Sequence, residues 1–278
     1  MAKTPNAQFS SLDLASSLPT RKPDTPDLTE RILRFLASQS ILTSTLVTDE
    51  SDAVANGGIP FNRAHGVHAF EYPAKDNRFN QVFNKCMYDN TTIVMKMFLG
   101  KYKGFEGVKQ LVDVGGGLGA NLDHIIVSKN PNIKGINFDL PHVIKDATSS
   151  LGVGGDMFES IPTGDWILHD WGDNECITVL KNCWAALPES GKVVAVEAII
   201  PDLENQPSDH TTNIDIDVSK AVISSDMIMM IANPGGKERT LKEYNTLAKK
   251  AGFASLKIVC RVSTFCVEKL PPKLASGK

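Results

Sequence analysis

The chain has 278 residues, 42% of them hydrophobic, enough for one large or two modest domains with a real core. A formal net charge of −3 removes bulk attraction to nucleic acid or to an anionic membrane. Five scattered cysteines without a Cys-x-x-Cys pair, and six histidines without metal-ligand spacing, exclude a disulfide scaffold and a zinc module. They fit a reduced, cytoplasmic compartment with the cysteines as small core hydrophobes and no bound metal.

Residues 1–25 are rich in Ser, Pro and Thr, and no apolar run behind Met1-Ala2-Lys3 reads as a signal peptide. No stretch approaches transmembrane length. From Asp27 to Leu42 an amphipathic helix is expected, with Leu28, Ile32, Phe35, Leu36 and Leu42 on one face. Residues 43–60 are polar and read as a loop. Helical periodicity returns after Asp76 through Phe79, Val82, Phe83 and Met87, and again through Ile93, Met97 and Phe98. By composition alone these are helix-packing residues. The first hundred residues lack strand–helix rhythm, so the chain divides into residues 1–106 and 107–278.

The second part alternates. A strand over 111–114 runs into Gly115-Gly116-Gly117-Leu118-Gly119 and a helix to about 129. Next come a strand over 133–139, a short helix after Pro141, and an apolar piece, Trp166-Ile167-Leu168. A helix follows over 173–187 with Ile177, Leu180, Trp184 and Leu187 inward, then a central strand over 192–200. Thr240-Leu-Lys-Glu243 is a capping box opening a helix that Gly252 ends. Segments 255–260 and 262–268 close as an antiparallel pair. The order implies an α/β fold with a doubly wound, mostly parallel sheet.

In such a sheet, ligands bind beyond the carboxyl ends of the strands. There the glycine turn would bring backbone N–H groups and a helix N-terminus to an anionic or polar ligand. Read as Gly115-x-Gly117-x-x-Ala120 with Asp139 downstream, it fits a dinucleotide fingerprint. Read as Asp113-x-Gly115-x-Gly117-x-Gly119, it fits S-adenosylmethionine (SAM) methyltransferases. The glycines alone leave both open. Asp139, Asp156, His169-Asp170 and Glu197 all fall at strand ends or on the central strand. His169 would reach into the cleft, where a carboxylate such as Glu197 or Glu238 could orient it as a general base.

Taken together, Leu111–Gly119, Gly135–Val143, Gly154–Phe158, Leu168-His-Asp-Trp171 and Asn233–Thr240 make an ordered set, preceded by Gly57–Asn62 and Ala69–Tyr72. With this set the chain resembles the plant small-molecule O-methyltransferases of the caffeic acid O-methyltransferase type, over most of residues 17–270. The resemblance implies a Rossmann-like SAM methyltransferase sheet behind a smaller helical, winged-helix-like N-terminal dimerisation domain. It displaces the nicotinamide dehydrogenase reading. His169 would accept the proton of a phenolic hydroxyl, flanked by Glu197 and Glu238. Gly115, Asp139, Leu140, Asp156 and Met157 would contact SAM, whose product is S-adenosylhomocysteine. Ala69, Phe79, Phe83, Met87, Asn90, Ile228, Met229 and Asn233 would line the pocket of a small phenolic, phenylpropanoid-type substrate. No metal is needed, and Asp215, Asp217 and Asp226 are expected as helix-surface acids.

The chain also departs from that family. A block is missing between about Thr43 and Ala55, where wing strands would lie, so the homodimer is expected to be weakened, with Leu28, Ile32, Phe35 and Leu36 as its remaining apolar contact. About one strand's worth of residues, roughly five, is missing between Asp165 and Trp166, including a lysine that contacts SAM. The segment before Gly154 is short and residues 204–225 look expanded. Asn90 stands where a histidine is common. A second expectation is therefore a catalytically impaired, splice-like homologue acting as a SAM-binding or dimerising partner.

Overall fold

The computed structural model describes residues 58–127, 130–147, 152–162, 168–188, 191–201, 216–262 and 265–270, together with scattered positions between 14 and 35. Helix α1 (Pro60–His65) opens on a proline and closes on Gly66 in the left-handed conformation. A short 3-10 turn, Tyr72–Ala74, leads to α2 (Asn77–Lys101), capped by the Asp76 carboxylate, which accepts from the N–H groups of Arg78 and Phe79. Then follow β1 (Gln110–Val114), α3 (Ala120–Leu122) widening into a π-type turn over Asp123–Val127, β2 (Lys134–Asp139), α4 (Pro141–Asp146) and β3 (Gly152–Gly154). The remainder is α5 (Asp173–Ala186), β4 (Val193–Ile200), α6 (Ile216–Ala232), β5 (Arg239–Thr240), α7 (Leu241–Ala251), β6 (Lys257–Val262) and β7 (Phe265–Leu270).

Among the described residues the strands form two ladders. One is parallel in the order β1-β2-β3; the other runs β5-β4-β7-β6, with β4 parallel to β5 and antiparallel to β7. The ladders nevertheless share both faces. Val112 and Val114 of β1 pack with Val193 of β4 under α5 and α7. Leu111 packs with Val194 and Val262 under the end of α2 and the π-type turn. Period-two alternation on β1 and β4 thus feeds two common cores.

The structure corrects several expectations. Among the described residues the α/β class and the parallel run β1-β2-β3 are as expected, while the second ladder is mixed because β7 runs antiparallel to β4 and β6. The segment expected as a loop over 43–60 ends in the first residue of α1; its part up to residue 57 lies outside the described residues. The two stretches of periodicity after Asp76 are one 25-residue helix. Trp184 is exposed rather than inward, because its indole lies over Gly252 at the end of α7. Cys176 and Cys183 are buried, but Cys86 is exposed. Asp226 is buried, not a surface acid, because Arg31 neutralises it; Asp215 and the Asp217 side chain lie outside the description. Ile32 packs with Met227 and Met230 of α6, Leu28 and Phe35 are partly buried against them, and Leu36 lies outside the described residues. Residues 163–167, where the missing strand was expected, lie outside the described residues, as do 202–215.

Candidate active site

The glycine turn follows β1 because its backbone requires it. Gly115, Gly117 and Gly119 have φ of 69°, 56° and 90°, and nothing lies within 4 Å of where a β-carbon on Gly115 or Gly117 would point. That side of the turn is open to a ligand. Asp139, at the end of β2, closes the rim: its Oδ2 accepts from Gly117 N at 2.9 Å and its Oδ1 from Leu140 N at 2.7 Å. The open turn with a carboxylate at the next strand end fits a cofactor that carries a ribose diol. Leu140 is exposed beside it. Asp156 accepts from Phe158 N at 2.8 Å, which makes it a turn cap, and Met157 packs partly against the core.

The structure brings His169, Glu197 and Glu238 together, with ligating atoms all within 4.8 Å of one another. His169 Nδ1 lies 2.7 Å from Glu197 Oε2, so its Nε2 is the nitrogen left for the cleft. Glu197 is fully buried on β4, and its second oxygen accepts from Leu168 N at 2.5 Å. Glu238 accepts from Ser225 Oγ at 2.7 Å on one oxygen, while its buried Oε2 has no hydrogen-bond partner. Burial opposes a charge on His169, but the Glu197 carboxylate outweighs it, with Asp170 and Glu238 adding, and the imidazole pKa is raised to about 10. Burial likewise pushes the Glu238 carboxyl up to about 7, against the pull of His169. Asp170 is also raised by burial; it accepts from Asn233 Nδ2 at 2.9 Å.

The expected pocket residues are only partly gathered. Asn233 is buried beside Asp170, with Met229 Sδ 3.6 Å from its amide nitrogen. Ala69 precedes Phe70, whose ring stacks on Trp171 at 5.7 Å, two residues from His169. Phe79, Phe83, Met87 and Asn90 share one face of α2, where Phe79 and Phe83 stack at 5.9 Å and the last three are exposed. Ile228 is exposed on α6. A cleft of about 500 Å3 opens instead between α2 and the glycine turn, lined by Asn80, Asn84, Lys85, Tyr88, Leu118 and Asp146 among others. None of the expected pocket residues lines it.

An O-methyltransferase domain model matches residues 48–254. The chain belongs to the O-methyltransferase family. It is 47% identical to caffeic acid 3-O-methyltransferase 1 of Populus tremuloides over 314 aligned residues, covering 94% of this chain and 83% of that protein. It is 45% identical to esculetin O-methyltransferase of Kitagawia praeruptora, covering 96% of this chain and 85% of that one. Since 314 exceeds the chain's own length, these alignments contain gaps opposite residues of the relatives, as internal deletions require. The crystal structure of human N-acetylserotonin methyltransferase with SAM shares the fold, with a TM-score of 0.67 at 18% identity over 90% or more of this chain (94%) and 75% of that one. The chain is thus a SAM-dependent O-methyltransferase.

Sequence reasoning missed the scaffold that holds the O-methyltransferase centre. The Leu168 N–H goes to Glu197, and its carbonyl accepts from Arg239 Nη1 at 3.3 Å and from Cys176 Sγ. Arg239 is wholly buried, with Asp173 and the Trp171 carbonyl on its Nη2. The His169 carbonyl accepts from Lys237 N at 2.9 Å. Behind Glu238, Asp226 Oδ1 accepts from its backbone N–H at 2.9 Å, and Asp226 Oδ2 from Arg31 Nε at 3.0 Å. Arg31 also donates to the carbonyls of Asp226 and Gly236. Arg239 and Glu238 sit in the Asn233–Thr240 motif, so position was legible there; Arg31 had no local signal.

Proposed function

We propose that this O-methyltransferase methylates a phenolic hydroxyl of a phenylpropanoid-type small molecule, with His169 as proton acceptor and Glu197 and Glu238 orienting and tuning it. The observation that carries this reading is the 2.7 Å bond from His169 Nδ1 to the buried Glu197, which leaves Nε2 for the acceptor. When bound, SAM supplies an electrophilic methyl on a sulfonium sulfur. The acceptor oxygen would bond to that carbon as the carbon–sulfur bond breaks, its electron pair passing to sulfur and the hydroxyl proton to Nε2. A phenol ionises near 10 and an ordinary histidine near 6.5. Raised to about 10, His169 rests protonated at neutral pH and matches the phenol only in its neutral form, so turnover should climb as pH rises toward 10. The names of the two plant relatives support an aromatic acceptor. The glycine turn, Asp139, Leu140, Asp156 and Met157 belong to the cofactor side of this reading. Ala69, Phe79, Phe83, Met87, Asn90, Ile228, Met229 and Asn233 belong to the acceptor side.

The same reading keeps the division into residues 1–106 and 107–278, a cytoplasmic location, and a weak homodimer. Val82, Ile93 and Met97, exposed on α2, support self-association, which sedimentation at rising concentration measures. No helix among the described residues is long and apolar enough to cross a membrane. Purified protein incubated with methyl-labelled SAM and a panel of caffeate, 5-hydroxyferulate, their aldehydes, flavonoids and hydroxyindoles tests the function. Label in none of them at substrate saturation would defeat it. One observation favours the impaired homologue: the alignment with the Populus relative runs over 314 positions against 278 residues here, so residues of that relative have no counterpart in this chain. SAM binding without turnover on any acceptor would select that second reading.

A further inference from the structure

Two buried acceptors face one another behind the glycine turn. Asp113 and Asn137 are register partners across β1 and β2, 6% and 0% exposed. Asn137 Nδ2 donates to the Gly117 carbonyl at 2.8 Å. A carbonyl can only accept, so this bond fixes the amide's orientation and turns Oδ1 away from Gly117. Asn121 Nδ2 donates to Asp113 Oδ1 at 3.2 Å, which accounts for one carboxyl oxygen. Asp113 Oδ2 and Asn137 Oδ1 remain, both buried and both without a partner. They occupy the same small space: a β-carbon on Gly116 would fall 2.1 Å from Asn137 Oδ1 and 2.7 Å from Asp113 Oδ2. Two facing acceptors repel, and each buried oxygen left unpaired is costly. A single proton resolves both.

We propose that Asp113 is held as the neutral acid, donating its proton from Oδ2 to Asn137 Oδ1, and that this bond locks the glycine turn in its ligand-binding shape. Asp113 is a positioning residue here: it acts on the turn through Asn137 and the Gly117 carbonyl. The group charges fit. The charged neighbour is the Asp139 carboxylate on β2, while Asn121 and Asn137 are neutral amides. Burial pushes the Asp113 carboxyl up to about 7, with Asn121 opposing and Asp139 adding. Loss of the proton would set Oδ2 against Oδ1, loosen the hold on Gly117, and place a second negative charge near Asp139.

The inference rests on the reading that this turn binds the cofactor, and its test separates the two. Infrared spectra of the ligand-free protein, with carboxyl-labelled aspartate, should show an isotope-shifted protonated-acid band at pH 6 that fades above about pH 7. Asp113→Asn, which keeps both a donor and an acceptor in place, should lack that band; a band unchanged in the variant belongs to Asp170 and overturns the proposal. The spectra of the unsubstituted protein decide the matter even if the variant folds poorly, since absence of any such band at pH 6 also overturns it. In calorimetry, affinity for S-adenosylhomocysteine should fall about tenfold between pH 6 and 8.5, the worth of one buried hydrogen bond, and stay nearly flat in Asp113→Asn. An equal slope in both proteins would assign the dependence to Glu238 and overturn the coupling. A neutral Asp113 in a protein that binds no S-adenosylhomocysteine would instead remove the cofactor assignment of the turn.

Discussion

At the scale of single residues, His169 and its two carboxylates set what can be measured. His169→Ala should lower turnover about 10²–10⁴-fold, the usual worth of a general base, with SAM affinity nearly unchanged by calorimetry. Surviving turnover would take His169 out of the mechanism. The raised ionisation also makes the fold pH-dependent. A histidine raised to about 10 stabilises the folded chain fully below its unfolded value near 6.5, and that contribution is lost as pH climbs through 10. Glu238, raised to about 7, works in the same direction, because it resists the ionisation that the unfolded chain accepts above about 4.5. Melting temperature should therefore fall from pH 6 to pH 10. The fall should shrink in Glu197→Gln, where burial pulls the His169 ionisation down against Asp170 and Glu238 only; an undiminished fall would mean that Glu197 does not hold the proton on the ring.

At the scale of elements, the legible parts were those written within a few residues of themselves. The Thr240–Glu243 capping box is present with both reciprocal hydrogen bonds, and Gly252 ends the helix at φ 107°. The glycine turn and the terminal antiparallel pair were legible for the same reason. Long-range partners were not. Nothing around Asp226 distinguishes an acid paired with Arg31 from one facing water, because α6 is apolar nearly all round. Periodicity placed Trp184 on a helix but not against Gly252. The rim under His169 was expected to depend on a strand. Residues 163–167 lie outside the described residues, and Leu168, which follows them, is held by Glu197, Arg239 and Cys176. Inserting Ala-Val-Phe-Met-Lys after Asp165 restores the strand length that the family resemblance implies and should raise both melting temperature and turnover. No change, or a loss in both, would mean that the side-chain scaffold already does what the strand would.

At the scale of the whole molecule, one buried ion pair joins the first segment to the catalytic loop. Arg31 and Asp226 are 9% and 2% exposed, and Asp226 also takes the Glu238 N–H. Removing one partner of a buried pair leaves the other charge uncompensated, at about 3–5 kcal/mol. Arg31→Met should lower urea stability by that order and cut turnover further than the stability loss explains at a temperature where the variant is folded; intact kcat in the folded variant would confine Arg31 to stability. The pair spans 195 residues. During synthesis Arg31 leaves the ribosome roughly 10–40 s before Asp226 can answer it, at ordinary elongation rates. Such a distant closure is slow to form and comes late in folding. The proton-handling centre is then among the last parts of the protein to exist, and nascent chains held on the ribosome should gain protease resistance around residues 168–170 only after the 226–238 stretch has cleared the exit tunnel.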